Sequence, residues 1–477
     1  MGKIGTNIPK RHFPHLPPNV ENPSCMPSLL TCKFPTKLVK LSLKHQQYKW
    51  FKYRQVSSSE IIEYCVPSYP TMQSISFIIF NTMIPTVILS LILVSAEAKT
   101  LQLEIDALRA FTLSIDPTSI TQYSFLNTWD FDLDPCESTG SDFLGILCTM
   151  PHDNSSSQIT TIDLEGDGYE GFLTPAIVNL TALTTLNLKR NQFRGPIPPA
   201  ISTLGNLTGL LLSGNYFSGN MPDVGKLKKL VNLDLSNNLL SGPIPASISG
   251  LRRLTHMTMS NNDLVGMIPD LSGLWQLNTL DLSTNQLMGS FPSLPQNLRT
   301  LSLAHNLLSG RISPIQRIES LERVDFSDNR LSGNIDPEIL TLPFLNYLNL
   351  SANRFTSVEV NKFADDSSQL QVVDMHENRL QGNLPINLFT YSNLTSLNLG
   401  HNVFSGRIPE VYGDMLGKPW QSLFLDYNFL EGNLPSEFTN TANLNIRGSL
   451  ARNCLNCPRR LEICRGGQRR ASECAKQ

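Results

Sequence analysis

The sequence predicts an α/β solenoid whose stacked turns form a parallel β-sheet, closed at both ends by disulfide-stapled caps. One motif recurs about every 24 residues between 159 and 443, and six cysteines flank this repeating region without entering it. An apolar segment before the repeats is typical of exported proteins, in which disulfides form.

The repeated motif is Leu-x-x-Leu-x-Leu-x-x-Asn-x-(Leu/Phe)-x-Gly-x-Ile-Pro. In Leu233-Asp234-Leu235, apolar and polar residues alternate with the period of a strand, so the leucines should point inward. Parallel strands lie about 4.8 Å apart, so twelve turns would give a sheet roughly 55 Å long. A single turn cannot bury its own leucines, and stacking therefore stabilises the fold. Twelve turns are predicted, starting at residues 159, 183, 207, 230, 254, 277, 298, 321, 345, 370, 394 and 420.

The asparagine of the motif follows each strand where the chain must bend inward, as at Asn285. Its amide can both donate to and accept from backbone groups that the sheet leaves unpaired. We therefore expect a structural ladder of asparagines along the solenoid.

The stretch after the asparagine reads Gly195-Pro196-Ile197-Pro198 and Gly242-Pro243-Ile244-Pro245 in two of the turns. This signature resembles the plant class of extracellular leucine-rich repeats, found in receptor-like kinases, receptor-like proteins and polygalacturonase-inhibiting proteins. The resemblance covers about 60% of the chain. It implies a right-handed leucine-rich-repeat superhelix with a parallel, concave β-sheet.

The segments on either side of the repeats resemble the caps of that family. Residues 99–158 begin with apolar residues at helical spacing and continue to Trp129 and the pair Cys136 and Cys148, for which the resemblance implies a disulfide. Residues 444–477 form a C-terminal cap and basic tail, and their cysteines allow three connectivities. A zinc site is the alternative for these four residues, Cys454, Cys457, Cys464 and Cys474.

The segment 72–98 is predicted to be a secretory signal peptide that is cleaved after Ala98. The alternative is an uncleaved membrane anchor through residues 74–95. Residues 1–71 are expected to be an unstructured upstream extension. The protein would then be secreted into the apoplast or cell wall, or be held at the membrane by the anchor.

Charge divides the chain into unlike parts. Residues 99–443 carry 20 basic and 34 acidic residues, whereas 444–477 carry eight basic and two acidic. No basic face runs along the large domain, so nucleic acid is not expected as a partner. The basic tail could contact an anionic cell-wall polysaccharide.

Motifs for catalysis are absent from the sequence. It contains no phosphate-binding loop, kinase signature, zinc-protease helix or nucleophile elbow. We therefore predict a protein that is not an enzyme and that needs no metal or cofactor. The tail after the repeats has no apolar stretch that could cross a membrane, so signalling would require another protein.

Outward positions of the predicted strands give candidate ligand-binding residues. Basic residues lie early on this face, acidic ones in the middle and aromatic ones late, and late aromatic residues are the best candidate anchors. The alternative is that these are ordinary solvated positions of a repeat. The candidates are Lys189, Arg190, Asp234, Asp281, Asp325, Tyr347, Asp374, His376, Phe424 and Tyr427.

Several positions depart from the regular pattern. Turn 6 is short around Phe291, and turn 11 is enlarged by residues 412–419. Five sequons predict N-glycosylation, and a glycan on Asn349 would block the face that the other sequons avoid. The five are Asn154, Asn179, Asn206, Asn349 and Asn393.

These features favour a secreted recognition protein that binds a peptide or protein partner. The resemblance implies a role in defence or developmental signalling with a membrane receptor kinase. The alternative is an inhibitor of a secreted cell-wall hydrolase such as polygalacturonase, although those proteins have about ten repeats and a simpler C-terminal cap.

Overall fold

The computed structural model describes residues 48–52, 63–67, 100–138, 140–149, 156–362, 368–439 and 446–475. The chain divides into two units, Met1–Ala96 and Glu97–Gln477. In the first, strands Tyr48–Lys52 and Glu63–Pro67 pair antiparallel. The first strand has three aromatic residues in five, and the second has Tyr64 and Val66; aromatic and β-branched residues favour extended backbone.

The segment 72–98, on which the predictions of a signal peptide or an anchor rest, lies outside the described residues. Among the helices that the structure does describe, none has both the length and the apolar character needed to cross a bilayer.

The second unit is built around a sheet of fourteen strands, which we call the long sheet. Its first strand, Ile146–Cys148, pairs antiparallel with the next, and the other thirteen run parallel in chain order. We number turns 1 to 13 by these parallel strands: Ile159–Asp163, Thr185–Asn187, Gly209–Leu211, Asn232–Asp234, His256–Thr258, Thr279–Asp281, Thr300–Ser302, Arg323–Asp325, Tyr347–Asn349, Val372–Asp374, Ser396–Asn398, Ser422–Phe424 and Arg447–Ser449.

The predicted α/β solenoid is confirmed, because the strands bury alternate residues as the motif requires. In turn 4, Leu233 and Leu235 are buried while Asn232 is exposed. Burial of a leucine side chain contributes roughly 1.5–3 kcal/mol. One such side chain per strand, repeated turn after turn, forms a continuous core along the unit.

A second set of strands follows the asparagines on the other side of the core. They form a nine-stranded and a four-stranded sheet, which we call the outer sheets. The first consists of Glu170–Phe172, Gln192–Gly195, Tyr216–Asn220, Leu239–Gly242, Asp263–Met267, Gln286–Ser290, Leu307–Gly310, Arg330–Ile335 and Arg354–Val358. The second consists of Gln381–Gly382, Val403–Gly406, Phe429–Asn433 and Cys454–Asn456.

Helices are short, apart from the first one in the N-terminal cap. The α-helices are Gln102–Leu113, Pro337–Leu340, Glu410–Asp414, Ser436–Thr439 and Ala471–Cys474. The 3₁₀-helices are Pro117–Ser119, Phe125–Thr128, Pro175–Asn179, Pro199–Thr203, Ala246–Gly250, Ser313–Arg317, Ile386–Thr390 and Glu462–Cys464.

The asparagine ladder connects each turn to the one before it. The Asn285 amide donates to the carbonyl oxygens of Met259, Leu282 and Ser283 at 3.0–3.1 Å. Its Oδ1 accepts from the backbone N–H of Leu264 at 3.0 Å. The same four bonds recur from Asn191 to Asn453, so each asparagine satisfies buried backbone groups that the two sheets leave unpaired.

A thirteenth parallel strand, Arg447–Ser449, lies within the segment that the sequence analysis assigns to the C-terminal cap. Gly448 stands where the motif has leucine, and a β-carbon there would collide with the carbonyl oxygen of Leu423. Ile463 of the cap lies against this position and is buried. The cap thus supplies the apolar side chain that the strand itself lacks.

Disulfides close both ends of the solenoid. Cys136 is joined to Cys148, with Cα atoms 5.6 Å apart. At the C-terminal end the bonds are Cys454–Cys474 and Cys457–Cys464, one of the three connectivities that the sequence left open.

Candidate functional site

The candidate ligand-binding residues all lie on the exposed side of the long sheet. We call this surface the polar face: the outward residues of the long-sheet strands together with the residues one and two positions before each ladder asparagine. The structure separates the candidates into two groups and three single positions. Lys189, Arg190 and Asp234 lie in turns 2–4, Asp281, Asp325 and Tyr347 in turns 6, 8 and 9, and Asp374, His376, Phe424 and Tyr427 in turns 10–12.

Most acidic candidates end their strand by accepting hydrogen bonds from the next residues of the chain. The Oδ1 atoms of Asp281 and Asp325 accept from the backbone N–H two residues later, at 3.0 Å, and from the hydroxyl of the same serine. Short polar side chains commonly close such local turns. These two carboxylates therefore have a structural role.

Asp234 is the most heavily bonded acid on the polar face. Its oxygens accept from the hydroxyls of Ser213, Ser236 and Thr258 at 2.7–2.8 Å, and Lys189 Nζ lies 2.9 Å away. Burial raises the pKa of this carboxyl, but the hydrogen bonds from Ser236, Lys189, Ser213 and Thr258 together lower it further, so the net pKa is below its ordinary value. Two predicted ligand-binding residues, Lys189 and Asp234, thus bind each other.

Arg190 and Tyr347 also have partners within the chain. Arg190 lies 3.6 Å from a carboxylate oxygen of Glu165 in turn 1. The guanidinium of Arg323 stacks over the ring of Tyr347 at 4.3 Å from its centroid. The arginine covers part of the ring, so Tyr347 is only half-exposed. Less of the Tyr347 ring is therefore available to contact a ligand.

The residue before each ladder asparagine adopts a left-handed backbone, which the sequence analysis did not foresee. At Tyr427, for example, φ is +52°. Such a conformation is rare for residues other than glycine, and here it turns a row of mostly exposed side chains outward along the edge of the polar face. The row consists of Arg190, Gly214, Asn237, Asn261, Thr284, His305, Asp328, Ala352, Glu377, His401, Tyr427 and Arg452.

Turns 10–12 carry a cluster with different chemistry. Asp374 accepts from the backbone N–H of His376 at 3.0 Å, and the ring Nδ1 of His376 lies 2.8 Å from the same oxygen. Two turns further along, Phe424 is half-buried and Tyr427 is 42% exposed. The ring of His401 stacks on Tyr427 with centroids 4.1 Å apart.

Between these residues lies Gly400, a position that the sequence analysis missed. The equivalent position in six other turns is a serine, namely Ser213, Ser236, Ser260, Ser283, Ser327 and Ser351. A β-carbon on Gly400 would lie 2.9 Å from Asp426 Oδ1 and 3.3 Å from Asn398 Oδ1. The carboxylate of Asp426 therefore occupies the space that a serine fills elsewhere. The break in the serine pattern was the sequence signal that could have found it.

A separate cleft lies beside the short sixth turn, on the flank of the solenoid. It has a volume of about 420 Å³ and is lined by Phe291, Leu294, Ile318 and Arg317, among others. Turn 6 has no helix on this flank, whereas turn 7 has Ser313–Arg317. The shortened turn therefore leaves apolar side chains partly uncovered.

Four of the five predicted glycosylation sites lie within the described residues, and Asn154 lies outside them. Asn179 ends a 3₁₀-helix, whereas Asn206 and Asn393 donate to backbone carbonyls between turns. Asn349 is on the polar face, where its amide donates to Asp325 and its Oδ1 accepts from Ser351. N-glycosylation of Asn349 would replace one hydrogen of its side-chain amide, the group that donates to Asp325.

The family model for the leucine-rich repeat matches five stretches of the chain, and no curated protein matches it in sequence. The matched residues are 182–204, 229–251, 276–298, 320–342 and 393–415.

Solved structures that resemble the chain include two receptors and an ice-binding protein. The crystal structure of a TDR receptor is 28% identical in sequence. The match covers 61% of this chain and 59% of the receptor chain, with a TM-score of 0.44. The plant peptide hormone receptor RGFR1 in complex with RGF2 is 30% identical, with coverages of 63% and 60% and a TM-score of 0.43. A plant ice-binding protein is 25% identical, with coverages of 77% and 98% and a TM-score of 0.43.

The chain thus spans about 60% of the length of these two receptors. The five matched stretches coincide with turns 2, 4, 6, 8 and 11, and the same strand, asparagine and outer strand recur in the turns between them. The chain is a leucine-rich-repeat protein.

Proposed function

We propose that this protein is a secreted, extracellular leucine-rich-repeat protein of the plant type that recognises a peptide or protein partner on its polar face. Its role would be in defence or developmental signalling together with a receptor kinase. The observation that carries this proposal is the cluster in turns 10–12, where an acid and exposed aromatic rings project from a rigid frame.

The frame suits recognition because its backbone is fixed by two sheets and by the asparagine ladder. Side chains held on rigid elements lose little freedom on binding, so more of their contact energy remains available for affinity. Tyrosine is enriched among the residues that dominate binding energy. Tyr427 meets both conditions.

The disulfides support the proposed location. All six cysteines of the caps are paired, and structural disulfides persist in oxidising compartments such as the cell exterior. The signal peptide predicted at 72–98 would supply the route. Mass spectrometry of the secreted protein should find an N-terminus near Lys99, and a peptide from residues 1–71 on that protein would exclude this route.

The binding proposal can be tested by capture from a plant apoplastic extract on the immobilised full-length chain. We expect a receptor kinase ectodomain or a peptide to be retained by the wild type and lost with Tyr427→Ala. Alanine occurs at the equivalent position of turn 9 as Ala352, so this variant should fold. The matched control is Tyr216→Ala, which removes an exposed tyrosine from an outer sheet.

Equal capture by wild type and Tyr427→Ala would contradict the proposed face. Depletion of polygalacturonase activity from the extract, without retention of a receptor or peptide, would instead identify the chain as a hydrolase inhibitor.

A further inference from the structure

We infer that the cluster in turns 10–12 is a subsite for a cationic side chain, an arginine, of the peptide or protein partner. This inference rests on the proposed function for its partner, but its chemistry is argued from the residues alone. The subsite consists of Asp426 and Gly400, bordered by Phe424 and by the stacked pair His401 and Tyr427.

Asp426 differs from the other acids of the polar face in its hydrogen bonding. Its side chain is only 19% exposed, yet it accepts no hydrogen bond from the part of the chain that the structure describes. By contrast, Asp234, Asp281, Asp325 and Asp374 each accept from neighbouring hydroxyl, amide or imidazole groups. A half-buried carboxylate that no hydrogen bond of the described chain satisfies keeps its acceptor positions open, which makes Asp426 a site for a donor from outside.

His401 is the nearest group that could pair with Asp426. The distance from His401 Nε2 to Asp426 Oδ2 is 3.8 Å, beyond the length of a hydrogen bond. Two other histidines on the polar face lie 2.8 and 2.9 Å from their aspartates. His401 is instead held against Tyr427, so it leaves the carboxylate of Asp426 open.

Elsewhere on the polar face, the chain supplies its own cations: Lys189 reaches Asp234, and Arg323 stacks on Tyr347. Among the described residues, no lysine or arginine lies within ion-pair distance of the acids in turns 10–12, where the only such partners are histidines. Among the described residues, neither Arg447 nor Arg452 of turn 13 forms an ion pair with Asp426. The missing cation is therefore the group that a ligand would bring.

Arginine fits this subsite better than a metal ion. Within the described ranges, no three acidic, histidine or cysteine side chains gather closely enough to hold a metal. A guanidinium can stack on an aromatic ring while its N–H groups bind a carboxylate, and the absence of a side chain at Gly400 lets the carboxylate of Asp426 lie in its observed position.

The test uses the full-length chain and the blocked tripeptide acetyl-Gly-Arg-Gly-amide, with its neutral citrulline counterpart as the reference ligand. Saturation-transfer NMR should show saturable binding of the arginine peptide and at least tenfold weaker binding of the citrulline peptide. Asp426→Asn should lower the affinity for the arginine peptide at least tenfold.

Two further variants complete the design. Gly400→Ser restores the residue of six other turns and should also lower the affinity, because its side chain displaces the Asp426 carboxylate. Glu431→Gln removes the same charge from the outer sheet of turn 12, where Glu431 is exposed, and should bind like the wild type. Thermal melts confirm that each variant is folded.

Equal binding of both peptides, or unchanged binding by folded Asp426→Asn, would overturn the subsite. The failures are distinguishable: arginine-peptide binding without any apoplastic capture would contradict the proposed function alone. Capture that survives Asp426→Asn would contradict the subsite alone.

Discussion

Turns 2–4 and turns 10–12 present acids on the same polar face but use them differently. Asp234 in turn 4 accepts from three hydroxyls and from Lys189, which reaches it from two turns away. Asp426 in turn 12 has a similar exposure, but among the described residues it has no hydrogen-bond donor and only His401 at 3.8 Å. A charged residue on a repeated surface is thus a candidate for binding only where its neighbours leave it unsatisfied.

Both regions stand on the same frame of sheets and ladder asparagines, and a change to that frame should have the largest effect on stability. Asn285→Leu in turn 6 should leave the N–H of Leu264 unpaired in the core and remove one donor from each of three carbonyl oxygens, which keep a second donor. We expect a loss of at least about 3 kcal/mol, since an unpaired buried N–H costs roughly 1–3 kcal/mol and each of the three lost bonds to a carbonyl adds roughly 0.5–1.5 kcal/mol. Chemical denaturation measures this, and an unchanged midpoint would contradict the ladder role.

Asp234 and Asp426 should contribute unequally to the free energy of unfolding. Asp234→Ala should destabilise the protein by about 2–4 kcal/mol, because it leaves Lys189 and three hydroxyls without their acceptor. Asp426→Ala should change the free energy of unfolding by less than about 0.5 kcal/mol, since no donor loses a partner. Equal losses in denaturant titrations would remove the distinction between the two regions.

The smallest of these effects is a pH dependence. The folded-state pKa of Asp234 is lowered, so its ionised form contributes stability above its unfolded pKa, and that contribution is lost as the pH falls through the folded pKa. Between about pH 5 and pH 2 the wild type should lose more stability than Asp234→Asn. Superimposable pH profiles of the two proteins would show that Asp234 is not held ionised by its neighbours.

Much of the frame could be predicted from the sequence because it is dictated by the repeat. The inward leucines and the ladder asparagines follow from period-two burial and from backbone groups that must be satisfied. Turn 13 was missed because Gly448 replaces the leucine of the motif. Its core position is filled by Ile463, which lies outside the repeat and cannot be found from the motif.

The site was less predictable, because it depends on contacts between turns. Lys189 and Asp234 are 45 positions apart, and nothing in the repeat indicates that a lysine side chain spans a turn to reach an acid. Likewise, Arg323 covers Tyr347 from the preceding turn. Gly400 can be recognised as unusual only when it is compared with the serines at six equivalent positions. Its role depends on the contact with Asp426, which the sequence does not show.

The most direct test of the division between the two regions is capture from apoplastic extract by Asp234→Asn and Asp426→Asn, measured at a temperature where both remain folded. We predict that Asp234→Asn retains the partner of the wild type, despite its lower stability, and that Asp426→Asn loses it. Retention by Asp426→Asn with loss by Asp234→Asn would contradict the account, because recognition would then lie in turns 2–4.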